Sequence, residues 1–186
     1  MHYKKHIVAF CAILLTAITA YGLGVLYTET VFKPKKLKSR AILTNAIKQK
    51  IGLEIGDTIV DSDFETLDFK KIRLGDVLQD TTLLIFFEPE CYVCIEDIEN
   101  LIDSHSNSIV KNVIFISSGN PRLIMDIRDD YDLKYTILYD HEGYYTSNLG
   151  ITSYPFHLVV NNKYTISEII AGKLISDDIK RIFPGK

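Results

Sequence analysis

The chain has 186 residues, 47% of them hydrophobic, and its formal net charge at pH 7 is −3. This length suits one globular domain with an additional segment. The charge balance gives no indication of a nucleic-acid partner, which would call for a basic surface. No internal repeat or low-complexity segment is present.

The additional segment comes first in the chain. Residues 7–27 contain no charged side chain, and a helix of this length measures about 31 Å, enough to cross a bilayer core. The basic start in residues 1–6 is typical of a signal anchor or of a cleavable signal peptide. Ala20 and Gly22 offer a small-x-small cleavage pattern, but the apolar run continues through Leu26. We therefore favour an uncleaved transmembrane anchor, with a cleaved signal peptide as the alternative.

Basic residues cluster directly after this segment. Residues 28–51 predict a tether with a weak helical pattern, and five basic residues lie early in it: Lys33, Lys35, Lys36, Lys38 and Arg40. They could hold the tether near anionic lipid headgroups, although a solvated linker fits equally well. A count of Lys and Arg alone would place everything beyond the anchor in the cytoplasm. The globular domain is predicted to occupy residues 52–186.

The centre of the domain is a strand that leads to two cysteines. Residues 83–87 form an unbroken apolar run, typical of a strand buried on both faces, and Pro89 interrupts it. From Ile95 onward, apolar residues recur at three- and four-residue spacing, as on one face of a helix. Cys91 and Cys94 therefore lie where a strand leads into a helix. Unpaired backbone N–H groups at a helix start favour the thiolate form of Cys91.

This cysteine spacing predicts a redox site. Two cysteines separated by two residues can close a disulfide with little backbone movement, with Cys91 attacking a partner and Cys94 resolving the mixed disulfide. A structural zinc site is a competing use, but it needs four ligands, and the only other cysteine, Cys11, lies in the apolar N-terminal run. A pair of packed core cysteines is the remaining alternative.

Strands and helices alternate through the rest of the domain. Ahead of the cysteines, residues 58–69 predict short strands or a hairpin. Beyond them, the patterns predict a buried strand at 113–116, a helix with Asn120 as N-cap and Pro121 as first residue, a short strand at 135–139, a helical turn at 144–149, a strand at 156–160, a returning strand at 164–170, and a last helix capped by Ser176. This order is typical of an α/β sandwich around a mixed sheet.

The predicted elements include a strand, a CxxC pair and a helix in succession, and much later a proline opens a strand of a terminal hairpin. This order resembles the thioredoxin-like fold. Within that fold, the chain resembles the membrane-anchored thiol-disulfide oxidoreductases of the TlpA/ResA type. The resemblance covers about residues 52–183 and implies a thioredoxin-like three-layer α/β sandwich around a mixed β-sheet, behind an N-terminal transmembrane helix. The matching features are Gly56-Asp57, Arg73-Leu74, the helix-strand unit at 121–139, and Gly150-Ile151 ahead of Pro155.

The resemblance also implies roles for particular residues. Pro155 should follow a cis peptide bond, and the backbone of Tyr154 should lie against the disulfide, where it can pair with an extended substrate chain. Asp97 stands where the family has an acidic residue, three positions after the second cysteine. Glu90 and Val93 depart from the family, which commonly has an aromatic residue and a proline at these positions. Because of these departures, the resemblance does not identify the redox partner.

Two interpretations of Asp97 follow from its position one helical turn after Cys94. It can exchange a proton with that less exposed thiol while the mixed disulfide is resolved. Alternatively, it is an acidic residue of the first helical turn that complements the helix dipole. The two interpretations differ in whether the carboxyl group takes part in turnover.

The charges around the cysteines indicate a redox direction. No Lys, Arg or His lies within ten residues of either cysteine, and acidic residues crowd the pair: Glu88, Glu90, Glu96, Asp97 and Glu99. Neighbouring negative charge opposes the thiolate, and a weakly stabilised thiolate makes the disulfide less oxidising. We therefore expect a reductant or isomerase rather than an oxidant.

Together these patterns predict a membrane-anchored enzyme that exchanges disulfides with proteins. We expect its domain on the extracytoplasmic, periplasmic side, because disulfide substrates occur there, in spite of the Lys and Arg count. Its partners would be protein disulfides or dithiols and a membrane electron donor. No cofactor, bound metal or nucleic acid is expected.

Two other functions remain open. A thioredoxin-fold copper-binding protein would use Cys91, Cys94 and one histidine as ligands, because thiolates and imidazole suit copper. The candidates are His141, in a turn, and His157, two residues after Pro155, although a surface or packing role is the simpler interpretation of each. A peroxiredoxin is the other alternative, but the Thr-containing approach to its peroxidatic cysteine is absent here.

Overall fold

The computed structural model describes Tyr21, residues 52–105 and residues 112–184. The predicted anchor at 7–27 and tether at 28–51 lie outside the described residues, apart from Tyr21. In the part of the chain that is described, no helix has both the length and the apolar character needed to cross a membrane.

The described part of the domain alternates strands and helices in the order that the sequence predicts. The strands are β1 (Asp63–Thr66), β2 (Lys71–Arg73), β3 (Thr82–Phe86), β4 (Val113–Ser117), β5 (Thr136–Tyr139), β6 (Phe156–Val160) and β7 (Ile166–Ala171). The α-helices are α1 (Leu74–Val77), α2 (Tyr92–His105), α3 (Pro121–Asp130), α4 (Tyr144–Asn148) and α5 (Ser176–Ile182), and a 3-10 turn at His141–Gly143 precedes α4.

The strands form one mixed sheet of seven strands in the order β2-β1-β5-β4-β3-β6-β7. The three strands β5, β4 and β3 run parallel to one another. β6 runs antiparallel to β3, and β7 antiparallel to β6. On the other side, β1 pairs antiparallel with both β5 and β2. The α/β fold around a mixed sheet that the sequence predicts is therefore confirmed.

The hairpin predicted near the start of the domain is present but lies later in the chain. β1 and β2 pair around a turn in which Phe69 has a φ of 59°. Thr58, predicted to lie in a strand, makes only an isolated bridge with Thr165. The prediction began too early because the alternation of apolar and polar residues starts before the backbone enters the sheet.

The start of α3 is as predicted, whereas the start of α5 is not. Asn120 caps α3, since its side-chain oxygen accepts a hydrogen bond from the N–H of Arg122 at 3.0 Å. Ser176 does not cap α5 but is its first residue. The N–H of Ile175 donates instead to the Asp178 carboxylate at 3.1 Å, so an acidic side chain inside the first turn replaces the expected hydroxyl.

Apolar side chains pack against both faces of the sheet, and β3 shows why its sequence is continuously apolar. Ile85 points to the cluster that contains residues of α2, α3 and α5, and Phe86 points to the cluster that contains residues of α1 and α4. Fully burying a side chain of this size contributes about 1.5–3 kcal/mol. The prediction of a strand buried on both faces is thus confirmed.

The register of the central strands positions the site. β3 ends at Phe86, whose partner in β6 is Phe156, the first residue of that strand. Because the two strands are antiparallel, the loop that follows β3 and the residues that precede β6 lie at the same end of the sheet. The loop leads to Cys91, and Pro155 directly precedes β6, so the sheet brings together two segments far apart in the sequence.

Candidate active site

Cys91 and Cys94 form a disulfide at the start of α2, and their Cα atoms are 5.2 Å apart. Cys91 directly precedes the helix and is partly exposed, whereas Cys94 lies within the first turn with only 1% of its surface exposed. Cys91 is therefore the more accessible of the two cysteines to a partner thiol. This asymmetry is what an attacking and a resolving cysteine require.

A backbone N–H of the first helical turn faces the sulfur of Cys91. The N–H of Cys94 points toward Cys91 Sγ at 3.3 Å. The carbonyl of Cys91 accepts bonds from the N–H groups of Cys94 and Ile95, which start the helix. Because N–H groups and the helix dipole present partial positive charge here, the fold favours a thiolate at Cys91 once the disulfide is reduced.

The loop between β3 and Cys91 is held by the neighbouring strand connection. The N–H of Cys91 donates to the Glu88 carbonyl at 3.1 Å, and the Ser118 hydroxyl donates to the Glu88 carboxylate at 2.9 Å. Gly119 lies so close to the Pro89 ring that a Cβ atom at this position would overlap it. The cysteine loop therefore packs tightly against the residues that follow β4.

The Tyr154–Pro155 peptide bond is cis, as the resemblance implied. The phenol of Tyr154 is half-buried, and burial raises the pKa of this group. The negative charge of Glu88 adds to this shift, while hydrogen bonds with Ser118 and Thr146 act in the opposite direction. Tyr154 therefore joins the hydrogen-bonded groups that hold the cysteine loop.

Asp97 is buried, with 1% of its surface exposed, and both of its oxygens have polar neighbours. Oδ1 accepts a hydrogen bond from the N–H of Leu174 at 2.8 Å, and Oδ2 lies 2.9 Å from Nε2 of His157. Because α2 begins at Tyr92, Asp97 falls in the second turn rather than the first. The interpretation of Asp97 as an acidic first-turn residue that complements the helix dipole is therefore wrong.

His157 is fully buried, and its ring connects Asp97 to the sheet. Its Nδ1 atom lies 3.2 Å from the carbonyl oxygen of Ile170, its partner residue in β7. The simple expectation of a surface or packing role misses this polar pairing. Nothing in the local sequence signals it, because Asp97 and His157 meet only through the packing of α2 on β6. His141, by contrast, is exposed in the 3-10 turn, where its ring contacts Tyr139.

Tertiary contacts also change the charge balance at the site. Lys173 pairs with Glu96 at 2.7 Å, and this hydrogen bond lowers the pKa of Glu96 and raises that of Lys173. Glu99 accepts a hydrogen bond from the Tyr131 hydroxyl at 3.0 Å. The acidic surroundings expected from the sequence are thus partly offset by Lys173, which follows the terminal hairpin.

The copper alternative gains no support from the arrangement of possible ligands. Within the described ranges, no group of three or more His, Cys, Asp and Glu side chains is placed so as to hold a metal ion. His157, one of the two candidate ligands, is instead engaged with Asp97 and the backbone.

The fold and the cysteine pair define the class of protein. A thioredoxin-like α/β domain carries a Cys91–Cys94 disulfide at the start of α2, at the same end of the sheet as a cis-proline. Residues 55–169, more than half of the chain, match the AhpC/TSA family, and the chain belongs to that family. It is also similar to the "Thioredoxin-like protein YneN" of Bacillus subtilis (strain 168), with 23% identity over 139 residues that cover 72% of this chain and 81% of that protein.

Several solved structures have the same fold. StoA from Bacillus subtilis aligns with a TM-score of 0.54 and 17% identity, covering 66% of this chain and 96% of StoA. A putative thiol:disulfide interchange protein DsbE from Chlorobium tepidum aligns with a TM-score of 0.57 and 15% identity, covering 68% of this chain and 91% of that protein. Peroxidoxin BcpB from Mycobacterium tuberculosis aligns with a TM-score of 0.58 and 15% identity, covering 69% of this chain and 92% of that protein. At these identities the likeness establishes the fold alone.

Proposed function

We propose that this protein is a membrane-anchored thiol-disulfide oxidoreductase of the TlpA/ResA type that exchanges disulfides with extracytoplasmic proteins. The observation that carries the proposal is the asymmetric pair at the start of α2, with Cys91 accessible and Cys94 buried. The names of the similar proteins, which include a thiol:disulfide interchange protein, support the same activity.

The exchange can be written as two displacements that balance electrons. In the reducing direction, the Cys91 thiolate attacks one sulfur of a substrate disulfide, and the other substrate sulfur leaves as a thiolate. Cys94 loses its proton and attacks Cys91 Sγ, which releases the second substrate thiolate and closes the Cys91–Cys94 disulfide. The substrate gains two electrons, and the cysteine pair loses two. Isomerisation shares the first step but ends when a substrate thiol displaces Cys91.

Asp97 is the proposed acceptor of the Cys94 proton. Side chains three residues apart in a helix have Cβ atoms about 5–6 Å from each other, and both of these side chains are buried. Water therefore has little access to Cys94, and an internal group must take its proton when it attacks.

Tyr154 and Pro155 are proposed to bind the substrate chain. They precede β6 at the end of the sheet where the cysteine loop emerges. In this position, the backbone of Tyr154 can pair with an extended peptide whose cysteine approaches Cys91.

A reductant or isomerase fits the charges around the exposed sulfur better than an oxidant does. Glu88 and Glu90 precede Cys91, and the Glu88 carboxylate is held by a neutral hydroxyl. Lys173 offsets Glu96, so the negative charge that opposes the thiolate comes chiefly from the cysteine loop. An anchor at residues 7–27 would place the domain next to a membrane electron donor.

A redox titration of the purified full-length chain in glutathione or dithiothreitol buffers tests the activity and its direction together. We expect a reversible two-electron couple near that of thioredoxin, about −270 mV. A value near −120 mV would reverse the proposed direction. Cys91→Ser and Cys94→Ser variants serve as controls, and the absence of a reversible couple in the unaltered chain would reject the oxidoreductase. Consumption of hydrogen peroxide without protein disulfide exchange would favour a peroxiredoxin instead.

A further inference from the structure

The contact between Asp97 and His157 determines where protons must lie. Nδ1 of His157 faces the carbonyl oxygen of Ile170 at 3.2 Å, and a carbonyl oxygen can only accept a hydrogen bond. Nδ1 therefore carries a hydrogen. In a neutral ring, the other nitrogen, Nε2, then presents a lone pair.

That lone pair would face a carboxylate oxygen. Nε2 lies 2.9 Å from Asp97 Oδ2, and among the described residues neither atom has any other hydrogen-bond partner. Two buried lone pairs at this distance repel each other strongly, because no water screens them. One proton between the two atoms removes the repulsion. The pair is then neutral overall, whether the proton lies on the carboxyl group or on the imidazole.

We propose that Asp97 and His157 share one proton while the cysteine disulfide is intact, and that His157 positions this proton for Cys94. This inference rests on the proposed disulfide exchange and adds a positioning residue to it. When an incoming thiolate attacks Cys91 Sγ, the sulfur–sulfur bond breaks and Cys94 leaves with the electron pair. The shared proton moves to Cys94 Sγ, and the pair is left as a carboxylate beside a neutral imidazole, whose mutual repulsion favours return of the proton in the reverse step.

The reverse step returns the proton. The Cys94 thiol gives its proton to the pair as its sulfur attacks Cys91 in the mixed disulfide. In both directions a single negative charge moves between Cys94 and the Asp97–His157 pair. The interior therefore never holds two negative charges at once, which would be costly in a buried site.

The other charged groups around the pair leave this assignment in place. Ile85 and Ile170, the strand partners of His157, bring no titratable side chain. Lys173 faces Asp97 closely enough to interact with its charge, but is itself paired with Glu96. From α5, the Asp178 carboxylate is engaged by the N–H of Ile175 and by Arg181. At the start of α2, the remaining titratable groups are Cys91, Cys94 and the phenol of Tyr92, which hydrogen-bonds with Glu96.

A kinetic experiment on the full-length chain separates this role from a purely structural one. The mixed disulfide is formed with a reduced chain and a disulfide-containing peptide, and the rate of its resolution is measured against pH. We expect His157→Gln to slow resolution about tenfold and to move the inflection of its pH–rate profile. His141→Gln, which removes the exposed histidine, should leave both unchanged. The same profile in His157→Gln and in the unaltered chain would overturn the proposal.

A second measurement needs no substitution and so does not depend on a variant that folds. Nitrogen NMR of the oxidised, histidine-labelled chain reports which ring nitrogens carry hydrogen. We expect His157 to have a protonated Nδ1 and an Nε2 signal displaced by a hydrogen-bonded proton, with His141 as the internal reference. An Nε2 signal without a hydrogen-bonded proton in the oxidised protein would overturn the proposal that the pair shares a proton. If the unaltered chain forms no mixed disulfide, the proposed disulfide exchange is wrong. The NMR measurement still shows whether Asp97 and His157 share a proton.

Discussion

At the residue scale, the two cysteines differ in exposure, and the buried acid next to them differs from the other acids of α2. Asp97 is enclosed between Leu174 and His157, whereas Glu96 and Glu99 bond to residues nearer the surface. The sequence predicts the exposure difference and the position of Asp97, one turn after Cys94. It predicts neither the helix start at Tyr92, which places Asp97 in the second turn, nor the imidazole beside it.

Replacing Asp97 by Asn should slow the resolution of the mixed disulfide about 100-fold, because general acid–base groups typically contribute factors of this size or more. The amide can still accept the Leu174 hydrogen bond, so the fold should persist. The measurement is the decay of a trapped mixed disulfide after mixing. Asp103→Asn, on an exposed position of the same helix, is the matched control. Equal decay rates in the Asp97 and Asp103 variants would contradict the role.

Tyr135 should make the protein less stable in alkali. Burial raises the pKa of this phenol to about 12, and its ring packs against Phe115. The unfolded chain loses the phenolic proton near pH 10, but the folded chain holds it to about pH 12, so stability falls as the pH rises through this window. We expect the free energy of unfolding to fall less in Tyr135→Phe than in the unaltered chain between about pH 8 and about pH 11.

The control for this pH effect is Tyr144→Phe, because Tyr144 is 74% exposed. Denaturant unfolding at both pH values gives the required differences. An equal loss of stability in the unaltered chain and in Tyr135→Phe would show that burial of this phenol has no part in it.

At the scale of elements, the site is formed by three loops that meet at one end of the sheet. The loop after β3 carries Cys91, the loop after β4 supplies Ser118 and Gly119, and the segment before β6 supplies Tyr154. Hydrogen bonds and close packing link the three, so the position of the exposed sulfur depends on all of them. Each loop is predictable as a loop, but their mutual packing is not.

Gly119→Ala should displace the cysteine loop and lower stability by about 1–3 kcal/mol, the usual cost of overpacking. The added methyl group would overlap the rigid ring of Pro89 and also meet the Glu88 carboxylate, of which only the flexible carboxylate can readily move aside. Thermal unfolding and the rate of reduction by dithiothreitol measure the two effects. The double variant Pro89→Ala/Gly119→Ala should recover part of the loss, because the ring is then absent. No recovery would mean that the clash lies elsewhere.

At the scale of the whole molecule, folding changes the electrostatic surroundings that the sequence suggests. The acids near the cysteines have no basic neighbour along the chain, yet Lys173 and His157 reach two of them from the terminal hairpin region. A prediction of redox direction from local charge alone therefore overstates the negative potential at the site. The remaining charge of the cysteine loop still favours a reductant.

Lys173→Met should make the reduction potential more negative, because it removes a positive charge that helps to stabilise the thiolate. Lys173 and Glu96 are partly exposed, so the shift should not exceed about 20 mV, which corresponds to about 1 kcal/mol. Redox titrations at low and high salt measure it, and the shift should shrink at high salt. Lys163→Met, at an exposed turn, is the control. A shift toward positive potentials would contradict the assignment.

Features that depend on neighbouring residues could be predicted from the sequence. The apolar run of β3, the amphipathic face of α2, the Asn120 cap and the CxxC spacing are all local patterns, and the structure contains each of them. Where a local pattern had two solutions, as at Ser176 and at the start of the first hairpin, the prediction shifted by a few residues. A resemblance to known proteins was needed to predict the cis bond before Pro155, because an isolated X-Pro bond favours trans.

Only the tertiary structure decided which side chains meet at the site. Leu174 and Lys173 each bond to a residue of α2 that is 77 positions away, and His157 meets Asp97 across the sheet–helix interface. Such contacts depend on strand order and register, which the packing of the whole core sets rather than any local preference. For this reason the cysteine pair can be recognised in the sequence, whereas the Asp97–His157 contact, on which the proposed shared proton rests, is found only in the fold.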